Sequence, residues 1–136
     1  MERVYTTPLI DKLGVRPGAQ VAIDGVDDAA FELALRDRTD RIVHLTPAEE
    51  PPADLDLVFL AAEHPVDLDR LRSLRRAIVV DGAIWVVSPK GRAATLRDVE
   101  VMAAARAADL VDNKVVSFSP THTALRLVIP RRLRGV

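Results

Sequence analysis

The chain has 136 residues, of which 49% are apolar and 29% are charged, and its formal net charge is −1. This length suits one domain spanning residues 1–136, and the composition excludes a disordered chain. The low net charge argues against nucleic acid or an anionic membrane as partner, and the lack of cysteine excludes disulfides and thiol chemistry. Since no apolar run approaches the roughly 20 residues that span a bilayer, we expect a cytoplasmic protein.

The first third of the chain predicts short helices and strands in alternation. Thr7-Pro8 favours the start of a helix and Gly14 its end, because proline suits the first helical turn and glycine the residue after the last. Pro17-Gly18 then favours a type II turn. The elements expected next are a strand over Gln20–Ile23, a helix starting after Asp27-Asp28, and a strand over Arg41–Leu45.

Two continuous apolar runs, Leu55–Ala61 and Ala83–Val87, predict strands that are covered on both faces of a parallel sheet. Trp85 lies inside the second run, so we expect it to be buried in a central strand. Between the runs, Asp67 is placed to cap a helix. Its leucines (Leu68, Leu71 and Leu74) would face the core, and its arginines (Arg70, Arg72, Arg75 and Arg76) would face water.

The last third predicts a helix followed by a strand pair. Thr95 and Asp98 resemble a capping box, and the buried stripe of that helix is expected at Leu96, Val99, Met102, Ala103 and Ala107. Lys114–Phe118 and Thr123–Ile129 alternate like two antiparallel strands. The whole order predicts an α/β fold: an open, doubly wound, mostly parallel Rossmann-like sheet flanked by helices, with an antiparallel strand pair at its C-terminal end.

Two resemblances follow from these motifs. Leu55–Ala61, the leucine-rich helix, the strand DGAIWVV, an alanine-rich helix and the closing hairpin resemble the second half of a class I S-adenosylmethionine-dependent methyltransferase. More closely, the segments TPLIDKLGVRPG, GAIWVVSPKGR and LVDNKVVSFSPTHTALRLV resemble a bacterial family of small proteins of unknown function, over nearly the whole chain. The resemblance implies a methyltransferase-like domain and brings no established activity with it.

The methyltransferase resemblance is incomplete where the cofactor would bind. Enzymes of that class have a glycine-rich loop after the first strand and an acidic residue that ends the second strand and binds the ribose. This chain has only Gly25 in the loop VAIDGVDD, and Leu45-Thr46-Pro47 ends the second strand without a carboxylate. The strand and helix that usually intervene are replaced by AEEPPAD. We therefore expect no cofactor.

A non-catalytic binding or interaction module is the function that these observations favour, since function depends on the site and not on the fold. The expected partner is a second copy of the chain or another protein, with neither nucleic acid nor membrane involved. We expect a homodimer to form through the closing hairpin, since Leu125, Leu127 and Ile129 alternate on a strand near the sheet edge and an exposed apolar edge invites pairing. The alternative is that the opening helix covers this edge. The alternatives are a degenerate methyltransferase and a small anion-binding enzyme.

Candidate ligand-binding residues follow the parallel strands, whose carboxyl ends meet at one sheet edge. They are Asp24, Glu63, His64, Lys90 and Arg92, and we expect Asp24, Thr46, Glu63 and Lys90 around a common crevice. Lys90 and Arg92 could hold a phosphate or carboxylate, and Glu63-His64 could exchange protons, although both loops also suit plain solvated turns. No residue is assigned as catalytic. The scattered histidines (His44, His64 and His122) argue against a metal site.

Overall fold

The computed structural model describes residues 7–135. Short 3-10 turns cover Pro65–Arg70, Gly91–Ala93 and Arg131–Leu133. None of the helices described is both long and apolar enough to cross a bilayer. The helices are α1 (Leu9–Lys12), α2 (Ala29–Arg38), α3 (Leu71–Ala77) and α4 (Asp98–Ala107), and the strands are β1 (Val21–Asp24), β2 (Ile42–Leu45), β3 (Leu55–Ala61), β4 (Ile78–Pro89), β5 (Val111–Ser117) and β6 (His122–Val128).

Six strands form one sheet in the order β2-β1-β3-β4-β6-β5. The first four of these are mutually parallel, whereas β6 runs antiparallel to both β4 and β5. The predicted fold class is therefore confirmed, including the antiparallel pair at the C-terminal end. Because the parallel strands share one direction, the loops that follow β1, β2, β3 and β4 all emerge at the same carboxyl edge.

The sheet is buried on both faces, as the continuous apolar strands predict. On β1, Val21 and Ile23 belong to the core formed with α1 and α2, and Ala22 belongs to the core formed with α3 and α4. Trp85 has no exposed surface and lies in β4 between β3 and β6, which confirms its prediction. Its Nε1–H donates to the carbonyl of Leu13 at 3.1 Å, so the same side chain also holds the end of α1 against the sheet.

Several local signals act as the sequence predicts. The Asp28 carboxylate caps α2 by accepting the backbone N–H of Phe31 at 2.9 Å. Gly18 has a φ of +75°, and the N–H of Ala19 donates to the carbonyl of Arg16 at 3.1 Å, which gives the expected type II turn geometry at this point in the chain. These contacts fix the loops on either side of β1.

The buried face of α4 is rotated from the predicted stripe. Val101 and Ala105 are buried, whereas Val99 is 59% exposed, and Ala103 and Ala107 also face solvent. The prediction took the helical phase from Leu96 at a capping Thr95, but the helix starts at Asp98, so buried Leu96 precedes it. The stripe was therefore counted from a residue outside the helix.

The closing hairpin also differs from expectation, because β6 lies inside the sheet. Leu125, Leu127 and Ile129 are buried in the core shared with α3 and α4. The edge strand is β5, where the register shifts between Asp112 and Lys114. A bulge and an exposed lysine both oppose pairing with another strand. The expectation that these three side chains lie at an exposed sheet edge is therefore wrong, while self-association itself stays a prediction.

Candidate functional site

Two adjoining cavities lie at the carboxyl edge, and Ala61 at the end of β3 lines both. The first has a volume of about 270 Å³ and opens between the loops after β1 and β3, the end of β4, and the turn that joins β5 to β6. The second has a volume of about 420 Å³ and lies between β1, the loop after β2 and the turn Pro65–Arg70. The single crevice expected from topology is thus divided in two, with Asp24 in the second cavity and Glu63 in the first.

An ion pair occupies the second cavity. The Asp24 side chain is 4% exposed, and its Oδ2 accepts a hydrogen bond from Nε of Arg70 at 2.8 Å, while the Arg70 side chain is itself 13% exposed. Nη2 of Arg70 also donates to the carbonyl of Thr46 at 3.3 Å. One guanidinium therefore joins the carboxyl ends of β1 and β2.

Arg70 is the residue of this edge that the sequence analysis misplaced, since it was expected to face water. It follows Asp24 by 46 residues, and no local spacing relates the two. The signal in the sequence is the acid that ends β1. A buried carboxylate needs a cation or several N–H donors, so Asp24 indicates a cationic partner elsewhere in the chain.

Gly25 follows Asp24 and is required by the fold itself. Its φ is +86°, and its backbone bridges that of Leu60 on β3. A Cβ built on Gly25 would approach Cβ of Ala61 to 3.3 Å, which is tighter than most such contacts. The glycine thus lets the chain leave β1 close against β3.

The first cavity has an acidic rim and an apolar floor. Asp27 and Glu63 lie at its exposed rim, while buried Val87 and Phe118 line its base. His122 also lines it, with Nδ1 2.7 Å from the hydroxyl of Thr121. The rim carboxylates make this cavity unfavourable for an anion and suited to a ligand with donors or positive charge.

Glu63 and His64 are fixed by their backbone and not by their side chains. Their N–H groups donate to Oδ2 of Asp67 at 2.9 and 3.0 Å, and both side chains are exposed. The hydrogen bond from Glu63 contributes most to a pKa of Asp67 below its ordinary value; burial opposes this effect, and the hydrogen bond and charge of His64 add to it. Asp67 therefore lies within the 3-10 turn and binds the backbone at its start. The prediction that Asp67 caps a helix beginning just after it is wrong, because α3 begins at Leu71.

Lys90 and Arg92 lie apart from both cavities. Nζ of Lys90 donates to the Ser117 hydroxyl at 2.6 Å, and its backbone N–H donates to the carbonyl of Thr121 at 3.0 Å, so this lysine fastens the loop after β4 to the hairpin. Arg92 is exposed in the turn Gly91–Ala93. Across residues 7–135, no group of three or more histidine or acidic side chains is arranged to hold a metal ion.

Comparison with protein families gives one match: the model of a family described as a protein of unknown function, DUF3052, matches residues 10–131. No match was found among curated proteins.

Solved structures with the same fold are methyltransferases. A SAM-dependent methyltransferase from Aquifex aeolicus gives a TM-score of 0.70 at 14% identity, with 90% of this chain and 88% of that chain covered. A candidate type 11 methyltransferase from Sulfolobus solfataricus gives 0.65 at 14% identity, covering 94% and 95%. A candidate methyltransferase from Thermoplasma acidophilum gives 0.67 at 9% identity, covering 93% and 76%. Likeness at such identities shows a methyltransferase-like fold alone.

Proposed function

We propose that this chain, which belongs to the DUF3052 family of unknown function, is a non-catalytic binding module on a methyltransferase-like fold. The observation that carries the proposal is the ion pair between Asp24 and Arg70. Methyltransferases of the class it resembles bind their cofactor across the carboxyl ends of the first two strands. In this chain the guanidinium of Arg70 bridges those two ends, from Asp24 to the carbonyl of Thr46.

S-adenosylmethionine does not fit the residues present at this edge. The cofactor's ribose would need an acidic residue at the end of β2, where Leu45-Thr46-Pro47 supplies none. The first carboxylate beyond it, Glu49, already accepts the N–H and the hydroxyl of Thr46 at 3.2 and 3.1 Å. The carboxylate that remains, Asp24, is already paired at 2.8 Å and nearly inaccessible. Gly25, the only glycine in the loop, serves close packing against β3. Cofactor binding would have to break a buried ion pair and leave a charge unpaired, which is costly.

The partner of the module is proposed to be a protein, either another chain or a second copy, in the cytoplasm of a bacterium. A protein partner is favoured over nucleic acid because the net charge is −1 and the first cavity has an acidic rim. The burial of Leu125, Leu127 and Ile129 argues against a homodimer through these side chains and does not bear on the other surfaces.

Thermal unfolding with S-adenosylmethionine and S-adenosylhomocysteine tests the proposal. A ligand present at 100 times its Kd adds about 2.7 kcal/mol of stability, a shift that differential scanning fluorimetry resolves easily. We expect no shift in the melting temperature with either compound, while a functional methyltransferase measured in parallel gives a clear one. A saturable shift with this chain would favour the degenerate methyltransferase instead.

Two experiments test the partner separately. Light scattering measures the mass of the purified chain, and affinity capture compares the amount of partner recovered by the parent and by the charge-reversed Glu63→Lys variant. A constant monomer mass combined with a partner lost in that variant would support a heterologous interface at the acidic rim. Equal recovery with both proteins would contradict binding at that rim.

A further inference from the structure

The amino edge of the sheet, opposite the cavities described above, contains a third cavity of about 410 Å³. It opens between the loop that follows α1, the first residues of β4, and β6. Its charged lining consists of two arginines and two aspartates: Arg16, Arg126, Asp56 and Asp81. Gly14 and Gly18 in the same wall have positive φ values, and no atom lies within 4 Å of where a Cβ would stand, so this wall is open.

Arg126 is the unusual residue in this cavity. It pairs with Trp85 across the ladder from β6 to β4 and is only partly exposed. Its closest polar contact is from Nη1 to Oδ1 of Asn113 at 3.4 Å, which is long for a hydrogen bond. Among the residues that the structure describes, no carboxylate lies within 4.0 Å of its guanidinium. Within residues 7–135, this partly buried cation therefore has no carboxylate in ion-pair contact.

The electrostatic surroundings increase this imbalance. Burial lowers the pKa of Arg126, and the nearby positive charge of Arg134 lowers it further. Arg134 cannot turn away freely, because its Nε donates to the carbonyl of Ile129 at 2.7 Å. An anion in the cavity would offset the charge of Arg126 and would form charge-assisted hydrogen bonds with its guanidinium, which are stronger than neutral ones.

We propose that this cavity is a binding site for a small molecule with a carboxylate or phosphate group, held by Arg126 and Arg16. The two aspartates define the other end of the ligand. Oδ2 of Asp56 already accepts the backbone N–H of Gln20 at 2.8 Å, while Asp81 is exposed and available to hydrogen-bond donors. The ligand would therefore have one anionic group at the arginines, together with hydroxyl or amino donors directed to Asp81.

The site differs from the anion site expected from the sequence at Lys90 and Arg92. At the carboxyl edge, Lys90 donates a hydrogen bond to Ser117, and the first cavity has the acidic rim of Asp27 and Glu63. The amino edge instead combines a concave surface with the Arg126 guanidinium, which has no ion-pair partner among residues 7–135. Because the two edges lie at opposite ends of the strands, binding at one can be measured without interference from the other.

The test is a chemical-shift titration of the parent chain with sodium phosphate and with sodium acetate, each compared with sodium chloride at matched ionic strength. We expect saturable changes at residues 14–18, 81–82 and 126. A response to phosphate alone would assign a phosphate-bearing ligand, and a response to acetate alone a carboxylate. No response beyond that of chloride, or one confined to residues 88–92, would overturn the proposal.

Three variants complete the experiment. Arg126→Gln should lower the affinity for the responding anion by about tenfold or more. Arg16→Gln, at an exposed position, should also lower this affinity and should not affect folding. Arg92→Gln is the matched control and should bind as the parent does. Equal affinity in all three variants would refute the site. The outcome is independent of the proposed lack of methyl transfer, because no step involves S-adenosylmethionine.

Discussion

Replacing Arg70 with methionine tests the ion pair between Asp24 and Arg70. Methionine keeps most of the aliphatic length of arginine but leaves Asp24, whose side chain is 4% exposed, without its bond to Nε at 2.8 Å. The contact from Nη2 to the carbonyl of Thr46 is lost as well. Breaking a buried pair by removing one partner typically costs about 3–5 kcal/mol.

The expected cost lies near the lower end of that range. Arg70 is 13% exposed and borders a cavity of about 420 Å³, so water can enter and solvate the freed carboxylate. A loss of about 3 kcal/mol corresponds to a fall of roughly 12 °C in Tm for a chain of this length. The double variant Asp24→Asn/Arg70→Met buries no unpaired charge and should lose only about 1 kcal/mol.

Urea unfolding followed by tryptophan fluorescence provides the assay, since Trp85 is the only tryptophan and is fully buried. Circular dichroism at the same urea concentrations checks that the transition is two-state. If Arg70→Met unfolds within about 0.5 kcal/mol of the parent, or if the double variant is no more stable than Arg70→Met, the pair does not hold the ends of β1 and β2 together.

Three further predictions concern single positions. Trp85→Ala should cost about 3–5 kcal/mol in urea unfolding, and Trp85→Phe less, because phenylalanine fills part of the space but leaves the Leu13 carbonyl unpaired; parent-like unfolding of the alanine variant would contradict the packing. Gly25→Ala should lose roughly 1 kcal/mol or more in thermal melts because of its positive φ and the 3.3 Å approach to Ala61, whereas an unchanged Tm would show that the loop adjusts freely. Asp67→Asn should lower the Tm at neutral pH and have a smaller effect below pH 3.8. The reason is that a carboxylate with a lowered pKa contributes stability that is lost as it is protonated. A difference in Tm between variant and parent that stays constant from pH 7 to pH 3 would refute this.

The central strands could be predicted from sequence because their signal is local. Leu55–Ala61 is both the apolar run and the strand, with identical limits. The run Ala83–Val87 gave only the middle of β4, which starts at Ile78. The missing residues include exposed Val80 and Asp81, so they lack the continuous apolar pattern that identifies a strand covered on both faces.

Contacts across long sequence separations account for what the sequence did not predict at the site. Arg70 lies among several arginines near α3, and nothing in its local pattern distinguishes the one that turns inward to Asp24. Likewise, the alternation of β6 suits either an edge strand or an interior one, and only the position of β5 beyond it decides that Leu127 is buried. Sheet order is a tertiary property that alternation alone does not encode.

Asp24 and Gly25 are the two residues that a motif search would take for survivors of a cofactor site, and each has a structural reason to be present. The acid pairs with Arg70 and fastens two strand ends, while the glycine allows a close backbone approach to β3 at positive φ. In a methyltransferase the same approach and the same acid would face the cofactor. A residue of cofactor-binding type at the expected position is therefore not sufficient to infer cofactor chemistry. What matters is whether its polar atoms are free, and in this chain the buried carboxylate of Asp24 is already paired within the fold.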